Sequence, residues 1–306
     1  MASNLRELEF IDLYIASDFS DYHDGEGRFS VPTDLHTEIQ NIKSKCLEKN
    51  QSRNNPEFSL FYDGVRYRVT VIQDFDDCPV FFLRKIESEI RELSQLNLVD
   101  STIDLLNIKE QEGLILVAGK MRHGKTTTAA SIVSYRLNKF GGIGVAIEDP
   151  TETLLAGIHG SGRCIQAQAS RFNGGYQEPL IRSLRSGADL IFIGEIREPD
   201  TAKETAVASI NGHLIISTIH AGSIREAIEK YCALAGHEIA SSLAEGLTLV
   251  IFQTLTSTRA QGVITNKVLE TICFRITDAA RVKIKEGKFT SLENDIQQQL
   301  NQEQWS

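Results

Sequence analysis

The sequence lacks an apolar run long enough to cross a membrane, and its first residues lack the basic start and apolar core of a secretory signal. It has only 5 cysteines in 306 residues, and these are scattered, odd in number and without a C-x-x-C pair. Such a set is typical of thiols in a reducing cytosol and does not favour a zinc site or a disulfide framework. We therefore expect a cytoplasmic protein whose role at any membrane depends on a partner.

Basic residues are scarcer than acidic ones, with 32 lysines and arginines against 41 aspartates and glutamates. The formal net charge of −9 disfavours nucleic acid as a direct partner, because binding to its phosphates requires a basic surface. With 41% hydrophobic residues and only 6 prolines, the composition is that of an ordinary folded protein with a sizeable core. The length suggests about two domains.

The most specific motif lies in residues 113–128, GLILVAGKMRHGKTTT. A buried-strand pattern precedes a loop that matches G-x-x-x-x-G-K-[ST], and a helical pattern follows. The glycines let backbone N–H groups point at phosphate oxygens, and the helix N-terminus adds its positive dipole end. Lys125 is predicted to reach the β- and γ-phosphates, and the Thr126 hydroxyl to bind Mg²⁺. The residues expected to bind the nucleotide are Gly119, His123, Gly124, Lys125, Thr126 and Thr127.

Three further apolar runs each end at a residue with useful chemistry: Glu148, Glu195 and His220. Because ligands bind beyond the carboxyl ends of the strands in an open parallel sheet, we expect these side chains to meet the phosphate loop. One carboxylate near a γ-phosphate can orient or deprotonate water, and a second can hold Mg²⁺. An imidazole can donate a hydrogen bond to phosphate. The pattern predicts a nucleotide hydrolase site.

The first third of the chain has a different texture. Residues 1–100 are predicted to form a smaller α+β domain, with a helix over 34–49, a β-hairpin over 57–72 and an amphipathic helix over 88–98. Residues 101–110 are interpreted as a linker. Strands alternate with helices over 111–306, which is typical of a mainly parallel α/β sheet with a helical C-terminal region.

Together these motifs resemble those of the secretion ATPase superfamily, the hexameric motors of type IV pili and of type II and type IV secretion. Residues 147–152 resemble the family's acidic box, 188–198 its Walker B strand and 212–220 its histidine box, in the family's order. The loop interior, 120–123, departs from the usual family sequence, but phosphate is gripped by backbone groups there. The short N-terminal region and the run 274–289 are most similar to pilus retraction ATPases and to type IVB secretion and conjugation ATPases.

The resemblance implies a PAS-like N-terminal domain, a RecA-like P-loop core and a ring of six subunits that binds ATP and Mg²⁺. It implies that Glu148 is the general base, that Glu195 and Thr126 hold Mg²⁺, and that His220 senses the γ-phosphate, with His213 as a second candidate. The family's N-terminal arginines correspond to Arg66, Arg68 and Arg84. An arginine at such a position is expected to reach a phosphate, from a neighbouring subunit or across the domain interface.

The implied function is a hexameric ATPase that converts ATP hydrolysis into domain motion. It would power a retraction-type pilus or a type IVB secretion or conjugation machine through an inner-membrane platform protein. The alternative is a regulatory or assembly switch that binds nucleotide without sustained turnover; the presence of both glutamates argues against it. A nucleic-acid motor is disfavoured by the acidic balance, and a GTPase by the absence of an N-K-x-D guanine motif from the sequence.

Overall fold

The computed structural model describes residues 4–53, 56–86, 89–170, 174–260 and 263–303. The chain divides into two compact units. The N-terminal unit contains the described residues up to Glu89, together with 150–154 and Ser170, and the C-terminal unit contains the remaining described residues. Within these ranges, no helix combines the length and apolar character needed to span a bilayer.

The N-terminal unit is an antiparallel sheet with one long helix on its apolar face. Its elements are β1 (Asp12–Ile15), β2 (Ser20–His23), β3 (Arg28–Ser30), α1 (His36–Arg53), β4 (Glu57–Tyr62), β5 (Val65–Gln73) and β6 (Pro79–Lys85). The described strands follow the order β3-β2-β1-β6-β5-β4. Helix α1 contributes Ile39, Ile42 and Cys46, each at most 1% exposed, to the core beneath the sheet. The predicted α+β character of this region, its helix and its hairpin are confirmed.

The hairpin between β4 and β5 turns at Asp63 and Gly64, whose φ angles of 46° and 75° are both left-handed. Two consecutive left-handed residues match the twist of the flanking strands, which is why Asp-Gly pairs favour this connection. Along β5, Tyr67 and Val69 point into the core, so the residues between them share the opposite face.

The C-terminal unit is built on a larger sheet that is parallel except at its two edges. Its elements are α2 (Asp100–Leu106), β7 (Gly113–Gly119), α3 (Lys125–Phe140), β8 (Gly142–Glu148), β9 (Gly157–His159), β10 (Gly162–Gln168), α4 (Gln177–Leu184), β11 (Leu190–Ile193), α5 (Pro199–Ser209), β12 (Leu214–His220), α6 (Ile224–Ala235), α7 (Ala240–Gly246), β13 (Leu247–Ala260), β14 (Val263–Arg275), α8 (Asp278–Lys285) and α9 (Leu292–Glu303). The described strands follow the order β14-β13-β7-β12-β11-β8-β10-β9, with β14 and β9 antiparallel to their neighbours.

Both faces of this sheet are covered, because alternate residues of its central strand enter different cores. Leu114 and Leu116 of β7 pack in a core that contains residues of α5, α6, α7 and α8. Ile115 and Val117 pack in a second core with residues of α3. The strand is buried along its whole length, as a strand between two helical layers must be. The predicted parallel α/β sheet is confirmed.

In the chain segment that follows β6, the structure differs from expectation. The predicted helix over 88–98 begins at Ser88, outside the described residues, and over the described part it is wrong: only a 3₁₀ turn, Leu93–Gln95, forms there. Asn97 adopts a left-handed φ of 48°, which helical geometry excludes, and its carbonyl accepts a hydrogen bond of 2.8 Å from the Thr271 hydroxyl of β14. Tertiary hydrogen bonding therefore decides the backbone there.

The segment 101–110, expected to be a linker, contains most of α2, and Leu105 and Leu106 are buried in the core of the C-terminal unit. Arg136 of α3 holds the end of this helix. Its buried guanidinium donates hydrogen bonds to three carbonyls, those of Leu106, Ile108 and Lys109. A helix C-terminus leaves carbonyls without intrahelical partners, and a cation is well suited to satisfy them.

Four of the cysteines, Cys46, Cys164, Cys232 and Cys273, are buried, and Cys78 is partly exposed. Burial raises the pKa of the Cys46, Cys164 and Cys232 thiols to about 12, because an apolar environment disfavours the thiolate. These three side chains therefore behave as small core residues at neutral pH.

Candidate functional site

The loop after β7 is shaped by two different backbone requirements. Arg122 and Gly124 have left-handed φ angles of 63° and 78°. Gly119 has no such angle, but a Cβ atom there would lie 2.7 Å from the backbone oxygen of Gln253 on the neighbouring strand. Gly119 is therefore required because the backbone of β13 passes close to it, and not because of an unusual φ. The left-handed φ of Arg122 is a feature that the sequence motif does not predict. Gly124 precedes α3, so the helix dipole is directed at the loop.

Lys125, the first residue of α3, is 7% exposed and lies at the centre of a chain of polar contacts. Its Nζ is 3.0 Å from Nδ1 of His220 and donates to the carbonyl of Lys120 at 3.1 Å. Because an ammonium group only donates, Nδ1 of His220 accepts, and the ring proton is assigned to Nε2. Nε2 is 3.3 Å from Oε1 of Glu195. Lysine, histidine and glutamate, from three separate motifs, thus form one contact chain.

The register of the sheet explains why these residues meet. His220 at the end of β12 is the pairing partner of Gly119 at the end of β7. On the other side of β12, β11 ends at Ile193, which pairs with Ile147 of β8. The carboxyl ends of the four parallel strands predicted to carry the site are therefore adjacent, in the order β7, β12, β11, β8.

Glu148, at the end of β8, is 1% exposed, and its position is held by an amide on the next strand. Nε2 of Gln166 in β10 donates to Oε2 of Glu148 at 2.5 Å. Oε1 of Gln166 accepts from the backbone N–H groups of Leu155 and Ala156, both at 3.2 Å. Both ends of one amide are therefore occupied, and the amide is fixed in the orientation that presents its NH₂ group to the carboxylate.

A second set of contacts joins the acidic box, residues 147–152, to the residues that follow β11. Arg197 is 3.2 Å from a carboxylate oxygen of Asp149 and lies over the ring of Tyr176, at 6.0 Å from the ring centroid. The Tyr176 hydroxyl accepts a hydrogen bond of 3.0 Å from the backbone N–H of Asp149. Burial raises the pKa of Tyr176, so the hydroxyl remains protonated. These contacts fix the backbone that follows Glu148.

The residues expected to hold Mg²⁺ present suitable chemistry. Thr126 lies in the first turn of α3, and the Glu195 carboxylate follows β11, so a hydroxyl and a carboxylate belong to adjoining parts of the site. Both are hard oxygen donors of the kind that Mg²⁺ prefers. Among the described residues no group of three or more His, Cys, Asp or Glu side chains could hold a metal by itself. A magnesium ion shared with substrate phosphates does not require such a group.

The other residues predicted for the site lie in the loop, in the first turn of α3 and at the far end of β12. His123 lies in the loop, and Thr127 is in the first turn of α3. His213 precedes β12, and its carbonyl accepts from the N–H of Gly113 at the start of β7. It therefore lies at the opposite end of the strand from His220, about 20 Å away for seven residues of extended chain. The structure therefore does not bring His213 together with the phosphate loop of the same chain, unlike His220.

The three candidate arginines share one face of the N-terminal sheet, opposite α1. Arg68 of β5 is the pairing partner of Arg84 of β6. The Arg84 guanidinium forms a two-pronged ion pair with Asp12, at 2.8 and 2.9 Å, and this hydrogen bonding raises its pKa. Arg66 lies over the Phe61 ring, 5.7 Å from the centroid. Among the described residues the Arg68 side chain has no ion pair, hydrogen bond or cation–π contact, so it is the arginine most available to a ligand.

Comparison with known proteins gives a consistent result. The family model "Type II/IV secretion system protein" matches residues 63–301. The type IV pilus retraction ATPase PilT of Pseudomonas aeruginosa is 28% identical over 283 residues, which cover 88% of this chain and 79% of PilT.

Solved structures agree with the sequence comparison. A crystal structure of the pilus retraction motor PilT with bound ADP has a TM-score of 0.78 at 25% identity, covering 96% of this chain and 87% of that one. The ATPase DotB of Legionella pneumophila shares the fold, with a TM-score of 0.72 at 20% identity, covering 94% and 84% of the two chains.

These matches confirm the prediction of a RecA-like core preceded by an N-terminal domain, and the resemblance to pilus retraction and type IV secretion ATPases. The family match spans most of the chain, including the loop, both glutamates and His220. The chain therefore belongs to the type II/IV secretion system protein family, as a secretion ATPase.

Proposed function

We propose that this protein hydrolyses ATP at the end of its parallel sheet and uses the energy to drive a type IV pilus of the retraction kind or a type IVB secretion or conjugation machine. The observation that supports the site most directly is the contact chain from Lys125 through His220 to Glu195. It joins the phosphate loop to the Walker B and histidine motifs within one network. The named relatives, a pilus retraction ATPase and the ATPase DotB, support the machine class.

In this proposal each group acts on a defined part of ATP. Backbone N–H groups of the loop and the N-terminus of α3 bind the triphosphate, and the Lys125 ammonium neutralises its terminal charge. Glu148 orients and deprotonates the attacking water, and His220 donates to the γ-phosphate. Thr126 and Glu195 would hold Mg²⁺, which supplies charge neutralisation at the phosphate oxygens when bound. An arginine of the N-terminal sheet stabilises charge in the transition state. Arg68 is the preferred candidate for this role, ahead of Arg66 and Arg84.

At the level of the assembly, we place the protein in a homo-hexamer in the cytoplasm. The N-terminal unit is proposed to be PAS-like, and its motion against the core upon hydrolysis is proposed to act on an inner-membrane platform protein. The competing function is a nucleotide-dependent switch without sustained turnover. The presence of two carboxylates on neighbouring strands, one of them buried and oriented by Gln166, favours a site that catalyses repeatedly.

The deciding experiment compares Lys125→Ala and Glu148→Gln with the wild type in nucleotide binding and steady-state ATP hydrolysis. Lys125→Ala should lose both nucleotide binding and hydrolysis, because it removes the ammonium group that contacts His220. Among the described residues no other loop ammonium joins this contact chain. Glu148→Gln should bind ATP and hydrolyse it at least about a hundredfold more slowly, since general-base catalysis contributes that much. The glutamine retains an acceptor for Gln166, so the packing around it is preserved.

Lys203→Ala, at an exposed position on α5, is the matched charge control and should retain wild-type activity. Steady hydrolysis by both Lys125→Ala and Glu148→Gln would refute the site. A wild-type protein that binds ATP but completes no more than one turnover per subunit would instead establish the switch.

A further inference from the structure

Gln253 of β13 is completely buried beside the phosphate loop and contacts it from two directions. Its side-chain Nε2 donates to the backbone oxygen of His123 at 2.5 Å. In return, Nδ1 of the His123 ring lies 3.4 Å from the backbone oxygen of Gln253. The same backbone oxygen is the atom that a side chain at Gly119 would strike. Strand β13 is thus in direct contact with the first glycine of the loop and with the residue before the second.

The orientation of the Gln253 amide follows from its partner. A backbone carbonyl only accepts, so the NH₂ end of the amide must face His123. Oε1 is consequently buried, and it has no hydrogen-bond partner among the described residues. A glutamine that leaves one end unsatisfied in a core is unfavourable as a packing residue. Its presence at this position indicates that the hydrogen bond from Nε2 to the His123 carbonyl contributes to the conformation of the loop.

The bond has a specific consequence for the loop. In a planar trans peptide the C=O and the N–H point in opposite directions. Since the His123 carbonyl is held towards Gln253, the N–H of Gly124 in the same peptide unit is directed away from β13. Gly124 has a φ of 78°, a conformation available to glycine among several others, so the peptide needs an external contact to remain in this orientation.

We propose that Gln253 is a positioning residue of the phosphate loop: it holds the His123–Gly124 peptide so that the Gly124 N–H is presented to a bound phosphate. The inference rests on the proposed function of the loop. It concerns the binding of the triphosphate and not the chemical step, because the glutamine does not belong to the Lys125–His220–Glu195 contact chain. It is therefore expected to act equally on bound substrate and on the transition state.

The test replaces Gln253 with methionine, which has similar volume and no donor, and with glutamate, which has the same shape and no NH₂ group. Both variants should raise the KM for ATP and the Kd for ADP about tenfold, as the loss of one well-placed hydrogen bond predicts. The kcat should change by less than about threefold, because uniform binding is what has been lost. Thr254→Val is the control, because Thr254 is the next residue along the strand and lies on its other face. It should leave the KM for ATP and the Kd for ADP unchanged.

A merely structural role gives a different pattern. Partial unfolding would lower the apparent kcat in proportion to the folded fraction and leave KM unchanged. That pattern, or wild-type KM and Kd in both variants, would overturn the proposal. Lys125→Ala separates this outcome from failure of the site: if Lys125→Ala loses ADP binding while the Gln253 variants keep it, the site stands and the role of Gln253 does not.

Discussion

Among single residues, Gln166 shows how a neutral side chain can control a carboxylate. Its carbonyl end is held by two backbone N–H groups, and its NH₂ end meets Glu148, which is otherwise almost completely enclosed. A hydrogen bond to the charged form of a carboxylate stabilises that form, and a base must be charged to accept a proton. The amide therefore fixes the direction in which the proposed base presents its carboxylate.

We predict that Gln166→Leu lowers kcat about tenfold or more and leaves the KM for ATP within about threefold of the wild type, since part of the general-base contribution is lost and the phosphate loop is untouched. Steady-state hydrolysis over a range of ATP concentrations measures both constants. Ile165→Gln, on the exposed face of the same strand, should match the wild type. An unchanged kcat in Gln166→Leu would show that Glu148 needs no such support.

The buried thiols give a prediction for the intact fold. With pKa values raised to about 12, Cys46, Cys164 and Cys232 carry almost no thiolate at pH 8 and should resist alkylation. Cys78, which is partly exposed, should be labelled first. Peptide mass spectrometry after brief iodoacetamide treatment, with a urea-unfolded sample as control, measures this order. Because these thiols ionise more readily in the unfolded chain, their contribution to stability declines as the pH rises above about 9.

At the scale of elements, the junction between α2 and α3 depends on one cation. Arg136 satisfies three carbonyls around the end of α2, and its guanidinium also lies 4.5 Å from the Phe140 ring centroid. Three residues later, Lys139 donates to the Asn107 side chain from an exposed position. The two side chains therefore offer a buried and an exposed version of the same kind of contact.

We predict that Arg136→Met lowers the free energy of unfolding by about 2–4 kcal/mol, because buried carbonyls lose their donors. Lys139→Met should cost less than about 1 kcal/mol, since exposed polar contacts contribute little. Urea unfolding monitored by circular dichroism measures both changes. Equal losses in the two variants would mean that burial does not determine the strength of these contacts.

The elements also show what the sequence could and could not predict. The strands ending at the phosphate loop, Glu148, Glu195 and His220 were predictable because each is a short local pattern, and parallel strands bring their carboxyl ends together. Gln166 and Gln253 were not predictable in their roles, because each acts on a strand that becomes its neighbour only through the sheet order. The failed helix over 88–98 has the same origin: hydrogen bonding between Asn97 and β14 involves residues far apart in the sequence.

At the scale of the whole molecule, the proposed ring can be tested by mixing inactive subunits. If Arg68 reaches a phosphate bound by a neighbour, a Lys125→Ala subunit supplies an intact arginine to the intact loop of an Arg68→Gln subunit. We predict that each variant alone is inactive and that the mixture regains part of the ATPase activity. A mixture of Lys125→Ala with Glu148→Gln should remain inactive, because every site then lacks a residue of its own loop or base.

Sedimentation in the presence of ATP gives the companion measurement. The expected species is a hexamer, and its formation should accompany the recovered activity. A fully active monomer would contradict the ring, and a hexamer whose mixed subunits stay inactive would assign Arg68 to its own subunit. Repeating the mixture with Arg66→Gln and with Arg84→Gln distinguishes the three arginines.

The hairpin of β13 and β14 has a mechanical consequence. Strand β13 pairs with β7 only over Leu247–Phe252, and in the described part of the chain its next eight residues pair with β14 alone. At the rise of an extended strand these residues form a ribbon about 25 Å long, so that a tilt of about 10° at its base moves the far end by about 4 Å. Gln253 lies at that base. A tilt of the ribbon would thus move the strand residue that contacts the backbone of the phosphate loop.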